Sequence, residues 1–355
     1  MTRSVKAWLR MHPALETYEI PTSEWSFYNY AHRYLDYVHP LNGGKCTSTG
    51  TWTQSSERLE TGFAVGLKGF CKANGIGYYP SVEFAETSGA QAILNDSPSG
   101  VQATAIANLV TLATTRGAPT NDGPWDGVEF DLEKPNTIGY KTKYNDFLTA
   151  CSVALRAAGL GVIITVYGND GDEIPDPGTT YLYGLGDFGL YEDIADQVNI
   201  MCYQYGDVTE LALVTKGYYE WTHRCTEYAI AKGLSASKLY VGIAGMCVYS
   251  PVAPEYAADV PYDWLMAYAT GQGHTPAWVE LNLLARGSGI AKCRWKFAEL
   301  DGSGERAFIM DADTWRKHLE IVDRHGAAGV AMFAPGYEDT NIWSVLEQWK
   351  KRPVW

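Results

Sequence analysis

Three carboxylates stand at alternate positions in Trp125-Asp126-Gly127-Val128-Glu129-Phe130-Asp131-Leu132-Glu133: Glu129, Asp131 and Glu133, with Val128, Phe130 and Leu132 between them. In a β-strand alternate residues share a face, so this spacing puts the acids on one side and the apolar residues on the other. Neighbouring positions on one face lie about 6–7 Å apart. Carboxyls held that close in a confined space do not all ionise near neutral pH, and one keeps its proton. A protonated carboxyl at the C-terminal end of a strand is what a general acid requires. The plain alternative is a solvated acidic face on an exposed strand. It fails wherever the acid side is enclosed, as it is inside a barrel.

The rest of the chain supplies such an enclosure. Strand-like runs occur at Ala7–Arg10, Tyr34–Val38, Gly77–Val82, Gly127–Leu132, Gly161–Val166, Val198–Tyr203, Leu239–Ala244 and Gly329–Phe333. Helical patterns lie between them at Ser56–Asn74, Val101–Arg116, Lys143–Ala158, Glu220–Lys232 and Thr314–His325. Eight strands, each followed by a helix or a long loop, predict an α/β fold of the (β/α)8 TIM-barrel type. The competing doubly wound sheet would place a Gly-rich phosphate loop after its first strand, and none is present. From Met246 to Gly326 about 80 residues separate the seventh and eighth strands. That interval holds the apolar runs Trp295–Phe297 and Ala307–Met310 around the turn Asp301-Gly302-Ser303-Gly304. It reads as a small α+β insertion: residues 1–245 and 326–355 form the barrel, and 246–325 the insertion subdomain.

Composition narrows the partners. The 355 residues carry a net charge of −13 and include 12 Trp, 24 Tyr and 10 Phe. Hydrophobic content of 46% with 19% charged residues excludes a disordered chain. The negative charge argues against nucleic acid or an anionic membrane surface as the partner, and more weakly against a polyanionic wall polymer. The N-terminus lacks the apolar core of a secretory signal, and no run approaches the ~18–20 apolar residues of a membrane span. Seven cysteines without a CxxC pair give no structural zinc site. They fit a reducing compartment or delivery outside by another route. Seven histidines show no ligand or triad spacing, so neither a metal nor a cofactor is expected. Asp170, Asp172 and Glu173 read as a solvated acidic loop rather than a calcium site.

The segment Asp126-Gly127-Val128-Glu129-Phe130-Asp131-Leu132-Glu133 resembles the DGxDxDxE strand of glycoside hydrolase family 18, the chitinases and related endo-β-N-acetylglucosaminidases. The resemblance implies that Glu133 is the acid/base and that Asp131 orients the substrate acetamido group. Glu129 stands where the family has a third Asp, one methylene longer. Met201-Cys202-Tyr203-Gln204 is similar to the family's Met-x-Tyr-Asp/Asn, with Tyr203 bonding the acetamido carbonyl and Gln204 in the Asp/Asn place. Ser81 falls where the third strand carries a Ser-x-Gly-Gly motif, although both glycines are absent. Phe333, closing Gly329-Val330-Ala331-Met332-Phe333, takes the place of the Trp that floors the −1 sugar site. Ala307-Phe308-Ile309-Met310-Asp311 resembles the end of the family's α+β insertion.

Many barrel glycosidases add a second carboxylate nucleophile after strand seven, about 5 Å from the acid. The seventh strand here, Leu239 to Met246, ends without an acidic residue. Substrate-assisted catalysis needs none, because the 2-acetamido oxygen attacks the anomeric carbon. The implied partner is an N-acetylglucosamine-containing glycan: chitin, a chito-oligosaccharide, peptidoglycan or an N-glycan core. Trp125, Tyr167, Tyr203, Tyr205, Tyr249, Trp295 and Tyr337 are candidate stacking faces, with ordinary packing as the alternative. Glu83 either lines the site or forms a structural ion pair. Two other functions stay open: a non-catalytic sugar-binding protein on the same barrel, and a recognition or wall-degrading component of a larger particle such as a phage virion. An intact glutamate at 133 argues against the first.

Overall fold

The computed structural model describes residues 3–9, 27, 31–41, 43–53, 62–115, 124–132, 138–170, 187–203, 219–250, 258–275, 277–285, 289–299 and 306–352. Its larger sheet contains β1 (Ser4–Leu9), β2 (Tyr37–Pro40), β3 (Gly44–Cys46), β4 (Trp52–Thr53), β5 (Gly77–Tyr78), β6 (Ser81–Phe84), β7 (Gly127–Phe130), β8 (Gly161–Tyr167), β9 (Gln197–Met201), β10 (Leu239–Ala244) and β16 (Gly329–Phe333). All neighbours pair in parallel except the short β3–β4 hairpin. The ring closes through residues 77–84. Tyr79 N donates to Val38 O on one side, and Glu129 N donates to Pro80 O on the other. Pro80 has no N–H to give, and it divides this third barrel strand into β5 and β6. The result is the expected (β/α)8 barrel.

Alternation along the strands separates two environments. Val5, Ala7, Leu9, Val82, Phe84, Val128, Phe130, Val162, Ile164, Val198, Ile200, Val241 and Ile243 are buried on the outer side of the ring, beneath the helix layer. Helices α1 (Gly62–Ala73), α2 (Thr87–Leu94), α3 (Val101–Thr115), α4 (Lys141–Ala157), α5 (Phe188–Ile194) and α6 (Tyr219–Ala231) fill the connections between successive barrel strands, α2 and α3 sharing the one from β6 to β7. The helix Ala312–His325 shows why these segments form where they do. Asp311 caps its N-terminus by accepting from Thr314 N at 3.0 Å, and Gly326 ends it at a φ of 63°, where a side chain would be strained. Its buried stripe of Trp315, His318, Leu319 and Val322 follows helical spacing. The final helix, Asn341–Lys351, buries Ile342, Val345, Leu346 and Trp349 in the same way.

Three aspartates stitch one end of the barrel. Asp36, Asp126 and Asp196 each stand just before a strand and accept the backbone N–H of the preceding barrel strand, from Val5, Tyr78 and Val162 respectively, each at 2.8 Å. All three sit at the N-terminal ends of the strands. In barrels of this kind that end serves stability, and the C-terminal end carries the chemistry.

Between β10 and the Ala312–His325 helix lies a second, antiparallel sheet of five strands. It contains β11 (Cys247–Ser250), β12 (Ala258–Val260), β13 (Ala277–Ala285), β14 (Gly289–Glu299) and β15 (Arg306–Phe308), in the order β12-β11-β15-β14-β13. Helix α7 (Tyr262–Gly271) joins β12 to β13. The expected run Trp295–Phe297 lies in β14, and Ala307–Met310 begins in β15. The turn at Asp301-Gly302-Ser303-Gly304 lies outside the described residues. The Ala312–His325 helix packs on the barrel, with Trp315 Nε1 donating to Ala244 O at 3.1 Å.

Several boundaries moved. The first strand starts at Ser4 rather than Ala7, because Lys6 points into the ring and hides the apolar pattern around it. The second runs Tyr37–Pro40 rather than Tyr34–Val38, and the sixth ends at Met201 rather than Tyr203. No helix among the described residues is long and apolar enough to cross a membrane.

Candidate active site

Glu129 occupies the middle of the barrel, in register with Ser81 on one side and Ile163 on the other. It is fully buried. Its Oε1 accepts from Trp8 Nε1 at 2.7 Å, from Asn199 Nδ2 at 3.0 Å and from Thr165 Oγ1. Those donors come from three other strands, so closing the ring assembles the partners of this oxygen. Its Oε2 has no hydrogen bond among the described residues and faces His39 Nδ1 at 3.5 Å, long for a hydrogen bond. His39 Nδ1 is nearer the Tyr79 carbonyl, at 3.2 Å.

Burial sets the charge of the surrounding bases. It pushes His39 down to about 4, against the opposing pull of Glu129, so the imidazole is neutral at neutral pH. Burial also holds Lys6 well below the usual lysine range, partly offset by Glu129. Lys6 Nζ donates to Asn199 Oδ1 at 3.0 Å and sits 3.5 Å from the centre of the Tyr240 ring. An enclosed lysine needs such partners, because a bare ammonium away from water is costly.

Asp131 lies two residues further toward the C-terminal mouth, its backbone N–H donated to Val82 O at 3.0 Å and its side chain half-buried. Glu133 and Gln204 lie outside the described residues. Beside the carboxylates is an aromatic wall. Tyr203 and Phe333 stack with centroids 5.2 Å apart and planes 9° from parallel. Trp8 meets the edges of both, at 5.8 and 6.3 Å. Tyr203 reaches this position across Gly242, where a Cβ would lie 2.5 Å from Ile200 O and 3.1 Å from the Tyr203 ring. Met201, at the end of β9, is buried beneath.

The remaining expected site residues divide. Ser81 shares the inner face with Glu129, buried, its hydroxyl without a hydrogen bond among the described residues. Glu83 pairs with Lys45 at 2.8 Å on the half-exposed rim, the ion-pair alternative. Asp126 does not join the site. It is exposed at the N-terminal end of β7, holding the Tyr78 N–H, about 16 Å along the strand direction from Asp131 at the usual rise. Trp125 lies at that same end, buried, its backbone bonded to Ala113. The expected grouping of Trp125 and Asp126 with the carboxylates is thus corrected by the length of the strand. Tyr249 packs with Trp264 and Tyr268 at the insertion, and Tyr337 is buried. Tyr205 lies outside the described residues, as do Asp172 and Glu173. Asp170 accepts both Nε and Nη2 of Arg224, at 2.9 and 2.8 Å. Among the described residues no cluster of three His, Cys, Asp or Glu side chains could hold a metal.

Trp8, His39, Thr165, Asn199 and Lys6 escaped the sequence reading. Lys6 and Trp8 share β1, and Thr165 and Asn199 are each a single polar residue in an apolar run, as in Val162-Ile163-Ile164-Thr165-Val166 and Val198-Asn199-Ile200. A lone polar residue on the inner face of a buried strand is the signal that was there to find.

Compared by sequence, the chain matches no family model and no curated protein. Solved structures do match. A class V chitinase from Pseudomonas fluorescens Pf-5 superposes with a TM-score of 0.76 at 18% identity, covering 98% of this chain and all of that one. The chitinase from Chromobacterium violaceum gives 0.74 at 19% identity, covering 99% and 100%. The spore cortex-lytic enzyme SleL from Bacillus megaterium gives 0.75 at 17% identity, covering 100% of this chain and 76% of that one. The fold is theirs. The resemblance read from the acidic strand therefore holds at the level of the barrel fold.

Proposed function

We propose that the protein is a glycoside hydrolase that cleaves β-1,4 bonds next to N-acetylglucosamine, by retaining, substrate-assisted catalysis. The observation that carries this reading is the Glu129–Asp131 strand: Glu129 is buried and bonded to Trp8, whose ring edges meet the stacked Tyr203 and Phe333, and Asp131 lies two residues further along, half-buried. The seventh strand ends at Ala244 and Gly245, so no carboxylate there offers the alternative nucleophile. In the proposed reaction Glu133 gives its proton to the glycosidic oxygen as the C–O bond breaks. The substrate's acetamido oxygen closes on the anomeric carbon, giving an oxazolinium ion. Asp131 holds the acetamido N–H, and Tyr203 bonds its oxygen. Glu133, now a carboxylate, takes a proton from water, which opens the ring with net retention. An intramolecular nucleophile held in place supplies much of the acceleration. Phe333 and Tyr203 offer the apolar surface for the sugar at this position, and residues 246–325, which hold β11–β15, are an inserted subdomain of the barrel.

Cortex-lytic and chitinase neighbours support an N-acetylglucosamine glycan as the substrate class. The test is incubation with chito-oligosaccharides, peptidoglycan and an N-glycoprotein, with products read by mass. Release of fragments with reducing-end N-acetylglucosamine is expected from at least one. Intact substrates in all three, with binding retained, would instead favour the sugar-binding reading.

A further inference from the structure

Within the ring of strands, Lys6 is the one buried lysine or arginine among the described residues, and the reaction above gives it no task. It lies one inward position below Trp8 on β1, too deep to meet a sugar. Its hydrogen bond connects it to the chemistry nonetheless. The Asn199 amide accepts from Lys6 Nζ at Oδ1 and donates from Nδ2 to Glu129 Oε1 and Thr165 Oγ1, at 3.0 and 3.1 Å. An amide bonded this way has one orientation. Turned over, it would place its NH2 against an ammonium and its oxygen against a carboxylate. A carbonyl polarised by a cation also makes its own N–H a stronger donor.

We propose that Lys6 is a positioning residue: acting through Asn199, it fixes the hydrogen bonding of Glu129 and supplies the buried positive charge that lets the acidic strand hold its negative charge during turnover. The inference rests on the hydrolase reading for its catalytic consequence, but the coupling itself does not. Other titratable or charged groups facing this space are Tyr37 and His39 on β2, Tyr79 between β5 and β6, Tyr240 on β10, and Glu129 on β7. His39 is neutral in its buried place, so it does not replace the lysine's charge.

Lys6→Met keeps the aliphatic stem against Tyr240 and removes the charge and the donor. Losing a buried cation makes nearby carboxyls harder to ionise. The expected result on a chito-oligosaccharide is a kcat about 10- to 100-fold lower, KM within about twofold, and an acid limb of kcat/KM moved up by roughly one pH unit. A well-folded variant with wild-type kcat and an unmoved acid limb overturns the proposal, since a merely structural lysine would alter melting alone. If Lys6→Met does not fold, Asn199→Ala cuts the bridge with Lys6 in place and must move the limb in the same direction; an unmoved limb overturns the proposal equally. A readout without turnover separates this from the hydrolase reading. With Lys 13Cε labelling, the Lys6 resonance should titrate at lower pH in Glu129→Gln than in the wild type, and an identical midpoint overturns the coupling. A wild type that cleaves no glycan but shows this shift would sink the hydrolase reading and keep the coupling.

Discussion

Carboxylates at the two ends of the barrel strands have the same chemistry and opposite employment. At the N-terminal end Asp36, Asp126 and Asp196 each take one backbone N–H of the neighbouring strand, and Asp36 and Asp196 are also paired with surface Lys350 and Arg156. In the interior Glu129 takes its donors from side chains on three strands and none from the backbone. The difference lies in what each arrangement leaves free. A carboxylate spent on a backbone N–H at an exposed rim holds strand to strand. A carboxylate bound by side chains inside the ring is oriented, and Asp131 follows it two residues further along, half-buried. Asp126 and Glu129 are three residues apart, so the length of one strand separates an exposed acid bonded to the backbone from a buried one bonded by side chains.

The sharpest way to break this division is at the proposed acid/base. Glu133→Gln is expected to lower turnover at least about a thousandfold with an unchanged melting temperature, and near-wild-type kcat on a chito-oligosaccharide would end the assignment. The interior should also reveal itself through pH. His39 is held at about 4 in the folded chain against an ordinary 6.5, so the unfolded chain takes up the proton first as the pH falls. Folding stability from this group is intact above about 6.5 and is lost progressively toward 4, by roughly 3 kcal/mol in all. Denaturant midpoints at pH 7 and pH 4.5 should therefore fall more steeply in the wild type than in His39→Gln; parallel falls would show that the imidazole is not held neutral. At the other end of the strand, Asp126→Ala leaves the Tyr78 N–H without its acceptor, costing about 1–3 kcal/mol of stability. Its kcat should stay within about twofold; a large loss of turnover would return Asp126 to the site. The smallest effect is expected at the rim. Glu83→Gln breaks a half-exposed pair with Lys45, worth up to about 1 kcal/mol, and a change in KM well beyond twofold would make Glu83 a substrate contact instead.

How much of this was legible beforehand depended on range along the chain. The alternation at 128–133, the absence of an acid after Leu239–Ala244 and the long interval before Gly329 are local patterns, readable from neighbours in sequence. Trp8 and Phe333 are far apart in the chain and meet only because β16 pairs with β1, Trp8 in register with Phe333. The same ring closure carries Asn199 to Glu129 and Lys6 to Asn199. No spacing along the chain marks those pairs, since their members come from different strands. Gly242 is a further case. Its lack of a side chain reads as a weak strand position, and only the Tyr203 ring packed over it shows why a side chain would not fit.

The sequence by itself determined the barrel, the alternation that turns Glu129 and Asp131 inward, and the class of chemistry that such an acidic strand resembles. These follow from side-chain periodicity and the sizes of connecting segments, which are properties of neighbouring residues. The tertiary structure decided each acid's partners. The length of β7 keeps Asp126 and Trp125 at the opposite end, while closing the ring brought Glu83 to Lys45 and surrounded Glu129 with Trp8, Thr165 and Asn199, with Lys6 behind. Hydrogen-bond partners and burial depend on distances through space, and those exist only once eight strands have met around a common centre.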